Sequence, residues 1–317
     1  MRNLVIIIFC VGFCFLSCVT GTGSNESRPQ NPREYVERGN VYLERGEYDL
    51  AMAYFNSALE IDDGYAWAYY RRGETYRQQG RFLDAIRDLS EAINLDNNYA
   101  YAYGTRGQSY RQIGQLDEAI WDLNETIRLD PNYAWAYAQR GLVRRQRNQH
   151  VHSISDFSQA IRLGHDQAWV FAERAESYRL MGDFDAAIRE FRETIRVDPN
   201  YSWGYGGRGQ SFRQSGRYEE AIADLSQAIR LNSSYGWAYA QRGMAFSQNG
   251  QNNFAFMDFT QAINFGHDRD WVFFERGKIF FEVGNMNGAI SDFEEVLRIT
   301  PDYLDARSYL ERAQRAQ

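Results

Sequence analysis

Cysteine is confined to the start of this 317-residue chain, at Cys10, Cys14 and Cys18. No disulfide can therefore brace anything downstream of Cys18. Lysine is nearly missing too: Lys278 stands alone beside 34 arginines, so Schiff-base chemistry is restricted to one position. Acidic residues number 42, and the formal net charge of −7 argues against a nucleic-acid backbone as partner. The four histidines build no metal centre. His150 and His152 offer two ligands at best, and His165 and His267 each stand beside one aspartate, too few for a metal site unless chains associate. No P-loop sequence, no dinucleotide fingerprint and no His-Glu zinc helix occurs. The expectation is a protein that is not an enzyme and carries no metal and no cofactor.

What the chain has in abundance is repetition. An Arg-Gly pair and a downstream alanine return every 34 residues, eight times, with no insertion or deletion. With units starting at Pro32, Ala66, Ala100, Ala134, Ala168, Ser202, Gly236 and Asp270, position 7 is always arginine, from Arg38 to Arg276. Position 8 is glycine except at Ala175, and position 20 is alanine except at Ser153. A period this strict denotes a stack of like units, each burying apolar surface against its neighbours.

Within a unit the pattern is helical. Large apolar or aromatic residues recur at positions 4, 11 and 24, as in Tyr103, Tyr110 and Leu123. Small ones recur at 8, 20 and 27, as in Gly73, Ala85 and Ala92. These spacings suit one face on each of two closely approaching helices. Position 15 is glycine in seven units, where a tight interhelical turn needs positive φ. Pro131, Pro199 and Pro301 at position 32 stop the second helix.

These positions resemble the tetratricopeptide repeat family across residues 32–303: aromatic at 4 and 11, glycine at 8, alanine at 20 and 27, aromatic or leucine at 24. The resemblance implies an all-α fold, a right-handed superhelical solenoid of eight 34-residue helix-turn-helix units. The units run 32–65, 66–99, 100–133, 134–167, 168–201, 202–235, 236–269 and 270–303, and residues 304–317 form a capping helix. It also implies that the first helices line a concave surface, with positions 2, 5, 9, 12 and 13 facing a ligand. Trp67, Trp135, Trp169, Trp203, Trp237 and Trp271 stand at position 2. Arg77, Arg111, Arg145, Arg179 and Arg213 stand at position 12, and Gln78, Gln112, Gln146, Gln214 and Gln248 at position 13.

Position 5 is mostly small, so the expected groove has an aromatic row, a shallow floor and an arginine row. Arginine forks match carboxylates, and aromatic rims add apolar area. An extended acidic or C-terminal segment of another protein fits such a surface. The structural alternative is that each tryptophan packs beneath the preceding loop beside its repeated tyrosine, and that duplication copied both rows. Family members that clamp a terminal carboxylate do so with first-helix lysines and asparagines that this chain lacks, so that specificity does not carry over.

Three further patterns bear on the stack. Position 23 is acidic in seven units, from Asp88 to Asp292, opposite the arginine at 7, which implies an internal salt-bridge ladder. Unit four departs from its siblings: Arg144 stands at position 11, Asn148 at 15 and Ser153 at 20. Charge and hydroxyl at close-packed positions cost stability unless paired, so this unit is expected to be a hinge or docking point. Finally, Asn98–Gly141 reappears 102 residues later, and two Gly-His-Asp turns follow the same interval, which points to duplication of a three-unit block.

The N-terminus suggests an address. Arg2 precedes an apolar run from Leu4 to Leu16, too short for an ordinary membrane span, then Ser17-Cys18 and a polar stretch. Residues 1–17 read as a lipoprotein-type signal peptide, Cys18 as the lipidated first residue, and 18–31 as a flexible tether. An ordinary secretory signal and an uncleaved anchor are the alternatives. Lipidated, the protein would sit on a membrane of the bacterial envelope, periplasmic or surface; unlipidated, it would be secreted or periplasmic. The expected function is a protein–protein interaction scaffold, similar to pilotins and other lipidated repeat proteins. The alternative is a carrier or sensor of a small amphipathic carboxylate ligand, and homo-oligomerisation through the stack ends is compatible with both.

Overall fold

The computed structural model describes residues 29–317; the expected leader, Cys18 and most of the tether lie outside the described residues. Each unit contributes two helices. The first helices are α1 (Pro32–Glu44), α3 (Ala66–Gln78), α5 (Ala100–Gln112), α7 (Ala134–Gln146), α9 (Ala168–Leu180), α11 (Ser202–Gln214), α13 (Gly236–Gln248) and α15 (Asp270–Glu282). They alternate with α2 (Tyr48–Ile61), α4 (Phe82–Leu95), α6 (Leu116–Leu129), α8 (His150–Arg162), α10 (Phe184–Val197), α12 (Tyr218–Leu231), α14 (Asn252–Asn264) and α16 (Met286–Ile299). A last helix, α17 (Leu304–Arg315), closes the stack. Among the described residues there is no strand, and no helix is long and apolar enough to cross a membrane.

Glycine sets the turn inside each unit. At position 15 the seven glycines have φ between 74° and 81°, and the next amide folds back onto the first helix, as Glu47 N does to Tyr42 O at 2.9 Å. Between units, a side chain just past the second helix makes an Asx turn. The Asp62, Asp96 and Asp130 carboxylates each accept an amide two residues on at 3.0 Å. Two units do this differently: α8 and α14 end early because Gly164 and Gly266 take positive φ, which produces the Gly-His-Asp turns.

The core is one position repeated. Position 24 (Phe55, Leu89, Leu123, Phe157, Phe191, Leu225, Phe259, Phe293) is fully buried in every unit. Position 8 must stay small to admit it: a Cβ on Gly39 would lie 2.5 Å from Phe55, and one on Gly277 2.8 Å from Phe293. Unit five solves the same problem otherwise. Ala175 occupies position 8, and the tip of the Phe191 ring lies against Gly207 of the next unit, 2.3 Å from where a Cβ would stand.

The arginine ladder is built into this core. Arg72, Arg106, Arg140, Arg208, Arg242 and Arg276 each fork onto the aspartate sixteen residues on, at 2.6–3.0 Å, and Arg174 does so onto Glu190. Asp88, Asp122, Asp156 and Asp292 are almost fully buried, so surface-pair energetics do not apply. Burial raises the Asp122 and Asp258 carboxyls above their ordinary range, against the pull of Arg106 and Arg242. In six rungs the same guanidinium reaches back to position 25 of the preceding unit, as Arg106 does to Ser90 Oγ at 2.9 Å. In the seventh, that of Arg208, position 25 of the preceding unit is Arg192.

In unit four each departure from its siblings is accommodated. Arg144 lies 2.8 Å from Asp156, adding a second guanidinium to that rung. Asn148 takes the left-handed turn with φ 57°, as asparagine can. Ser153 Oγ donates to Gly141 O at 2.9 Å and meets Ser177 Oγ at 3.1 Å. At the C-terminal end, α17 buries Ala306 and Ala313 and packs Tyr309 on Phe274, Phe281 and Phe293.

Candidate functional site

Consecutive first helices touch one another from α1 to α13, while the second helices make no comparable contacts with each other. The first helices therefore line the inner side of the stack. The side chains at positions 6, 9, 12 and 13 meet across it: Arg71 Nε donates to Asn40 Oδ1, Arg179 Nη1 to Gln214 Oε1 at 2.9 Å, and Arg213 Nη1 to Gln248 Oε1 at 3.2 Å.

All six tryptophans of the position 2 row are half-buried and pack against the core. A tyrosine two residues earlier lies on four of them, at ring separations of 5.4–6.1 Å. His165 and His267 take that place beside Trp169 and Trp271. The small residues at position 5 do not form an open floor. Trp135 stands over Gly104 and Trp237 over Gly206, at 3.0 and 2.8 Å from where a Cβ would lie. The indoles of one unit thus roof the small residues of the unit before. Unit three carries Tyr101 instead, half-exposed against Tyr133.

The arginine row runs beside them, and its members differ. Arg77 lies 3.9 Å from Glu74, whose carboxylate also takes Arg71 at 3.0 Å. Arg145 lies 2.8 Å from Glu173. Arg179 forks onto Glu176 at 2.8 and 2.6 Å. Among the described residues, Arg111 and Arg213 have no carboxylate within ion-pair reach, and burial lowers the pKa of both. Beyond burial, Arg111 feels Glu173 as a favourable charge and Arg145 as a repulsive one, and Arg213 feels Arg179 as repulsive and Tyr218 as favourable. Among the described residues, the Nε atoms of Arg77, Arg111 and Arg213 are buried without a hydrogen-bond acceptor, while that of Arg145 faces Glu173. Of the glutamines, Gln78 donates to Glu74 at 3.3 Å, Gln214 and Gln248 accept from arginine, and Gln112 and Gln146 are exposed.

Burial sets the chemistry of the acids and phenols along this face. It raises Glu173 against the pull of Arg145, and pushes Tyr70 and Tyr235 up to about 12, so both phenols are hydrogen-bonding groups and not bases at neutral pH. The acids Glu74, Glu173 and Glu176 are the functional residues that the rows alone do not reveal. For Glu74 and Glu176 the signal is their place three residues before Arg77 and Arg179, one helical turn away. For Glu173, 28 residues from Arg145, spacing within a helix carries no such signal.

Family models match nearly all of this stack. One described as the ETO1 C-terminal domain covers residues 24–204, one described as TPR repeat covers 209–250, and one described as tetratricopeptide repeat covers 272–303. No curated protein matches the chain. Among solved structures, a tetratricopeptide repeat protein from Parabacteroides merdae is 19% identical with a TM-score of 0.62, over 80% of this chain and 100% of that one. The APC/C hetero-tetramer Cut9-Hcn1 gives 16% and 0.64, over 88% of this chain and 55% of that one. Pseudomonas aeruginosa pilF gives 20% and 0.58, over 65% and 94%. These likenesses show the shared fold. The chain belongs to the tetratricopeptide repeat family, and over residues 24–204 to the family described by the ETO1 C-terminal domain.

Proposed function

We propose that this protein is a non-catalytic interaction scaffold of a bacterial envelope, tethered through a lipid on Cys18 and holding an extended, acidic segment of a partner protein along its inner face. The observation that supports it most is the file of guanidinium groups at one register of consecutive first helices, Arg77, Arg111, Arg145, Arg179 and Arg213. Groups repeated at fixed register suit an extended chain, which offers its own groups at regular intervals. A carrier of a small amphipathic ligand needs an enclosed cavity. Two hollows, one bordered by Gly46–Leu50 and Gln79 and one by Gln30, Glu34, Glu37, Arg38 and Val41, lie at the first unit and border neither row.

The test is affinity capture from solubilised envelopes with the mature protein beside an Arg111→Gln, Arg213→Gln variant. Arg145 and Arg179 are left in place because they neutralise Glu173 and Glu176. A partner held by the parent and lost by the folded variant supports the scaffold; identical captures refute the arginine file as its surface. The tether is tested by Cys18→Ser, which should release the protein from the membrane fraction.

A further inference from the structure

The two copies of the duplicated block are not alike, and the difference gathers on the rim where the first helices of units two to four begin. Five tyrosines meet there: Tyr65, Tyr70, Tyr99, Tyr101 and Tyr133. Between ring centres, Tyr70 lies 5.0 Å from Tyr99, Tyr101 lies 5.1 Å from Tyr133, and Tyr133 stacks on Trp135 at 5.5 Å. Tyr65 is near enough to Tyr99, and Tyr70 to Tyr133, for their charges to interact. The rings are thus one continuous group.

Copying does not account for it. At the places 102 residues on stand Gln167, Ala172, Tyr201, Trp203 and Tyr235, so three of the five phenols have no counterpart. Trp203 is half-buried with its ring 6.1 Å from that of buried Phe191, whereas Tyr101 is 50% exposed. Tyr65, Tyr99 and Tyr133 beside it are half-buried, so each keeps some ring surface in water.

The chemistry on offer is narrow. The charged groups next to the rings are paired with one another: Glu74 takes Arg71 at 3.0 Å and Gln78 at 3.3 Å, and Arg71 also donates to Asn40. Burial raises the Tyr65, Tyr99 and Tyr133 phenols above their ordinary pKa, so each keeps its proton as a donor. Ring surface and neutral donors suit a ligand of apolar rings and bare acceptors. A polyproline II chain is such a ligand, since it has no internal hydrogen bonds and proline has no N–H. Its period fits as well. One turn of three residues advances about 9 Å, close to the roughly 8–10 Å between packed helices, so prolines one turn apart can meet Tyr65, Tyr99 and Tyr133 at the ends of consecutive units.

Building on the scaffold reading, which supplies the extended partner segment, we infer that this tyrosine rim holds a proline-rich stretch in the polyproline II conformation. Its rings lie against Tyr65, Tyr99, Tyr101 and Tyr133, and its carbonyls accept from their hydroxyls.

Isothermal titration of the full chain with acetylated, amidated decaproline tests this, beside a blocked decapeptide alternating glycine and serine, and chitotetraose. Decaproline should bind at one site, and the other two should not bind. Tyr101→Ala should weaken decaproline by about tenfold or more, and Tyr101→Phe, which keeps the ring, by about two- to tenfold. Tyr101 is half-exposed, so both variants should fold, as circular dichroism checks. Tyr235→Phe, the same hydroxyl loss at the second copy's counterpart of Tyr133, should leave binding unchanged, as should the Arg111→Gln, Arg213→Gln variant. No decaproline binding, equal binding of the glycine-serine peptide, or decaproline binding untouched by Tyr101→Ala overturns the inference. So does chitotetraose binding that Tyr101→Ala abolishes, which would make the rim a glycan site. Envelope capture with the arginine variant reports on the scaffold separately, so that reading survives any of these failures.

Discussion

Phe191 is the one position 24 ring that faces an alanine at position 8, and it lies against Gly207, the one glycine at position 6. Exchanging the two small residues perturbs a contact shared between units five and six. Gly207→Ala places a methyl 2.3 Å from the ring, an overlap that costs about 1–3 kcal/mol and outweighs the gain of about 1 kcal/mol from alanine in a helix. Ala175→Gly loses that propensity and leaves a methyl-sized void at a fully buried site, about 2 kcal/mol in all. Together the changes recreate the arrangement of the other units: glycine at position 8 receives the ring and position 6 is free to carry a side chain. The double variant should therefore be more stable than the two losses added, by about 1.5–2 kcal/mol. Urea unfolding followed by circular dichroism gives the cycle, and hydrogen exchange in α9–α11 places the effect. Losses that add within about 0.5 kcal/mol would refute the idea that Phe191 chooses between the two glycines.

The ladder gives a second prediction: Asp122→Ala strands the half-buried Arg106 guanidinium and should cost about 3–5 kcal/mol, read from the unfolding midpoint. Because the Asp122 and Asp258 carboxyls titrate above their unfolded values, these rungs gain stability as pH falls through the folded pKa. Asp258→Asn should remove part of that gain, measurable as midpoint against pH. His165 and His267 act oppositely. Burial lowers both below 6.5, so the stability they confer is present above that pH and lost as pH falls toward the folded pKa; a His165→Gln, His267→Gln variant should lose less on going from neutral to mildly acidic buffer. At the unit four turn, Asn148→Ala should cost about 1–2 kcal/mol in thermal unfolding while Asn148→Gly is nearly neutral, since φ there is 57°.

Spacing alone makes the turns and the core legible. Glycine every 34 residues at position 15 can mean little but a left-handed residue, and the large residue at 24 opposite the small one at 8 is a helix pair in contact. Position 7 and position 23 are sixteen apart, a spacing that a helix hairpin converts into contact, so the ladder too can be read. Other features need the curvature of the stack. Trp237 roofs Gly206 because one first helix leans on the one before, and neither residue's surroundings announce it. Glu173 meets Arg145 between neighbouring units, a meeting that no helical period encodes. Unit four misleads for a related reason: Arg144 and Ser153 look intrusive one at a time, and only the positions of Asp156 and the Gly141 carbonyl show that each has a partner.

The backward reach of the ladder arginines gives the stack a direction in time. Arg72 secures Asn56, Arg106 secures Ser90, and each such residue belongs to the unit already made when its arginine leaves the ribosome. Six first helices thus hold the unit that precedes them in the chain. The series misses a step at Arg192 and ends where Leu310 of α17 stands in the arginine's place. The backward bonds thus join consecutive units from the first to the eighth, with one rung missing between the fifth and sixth.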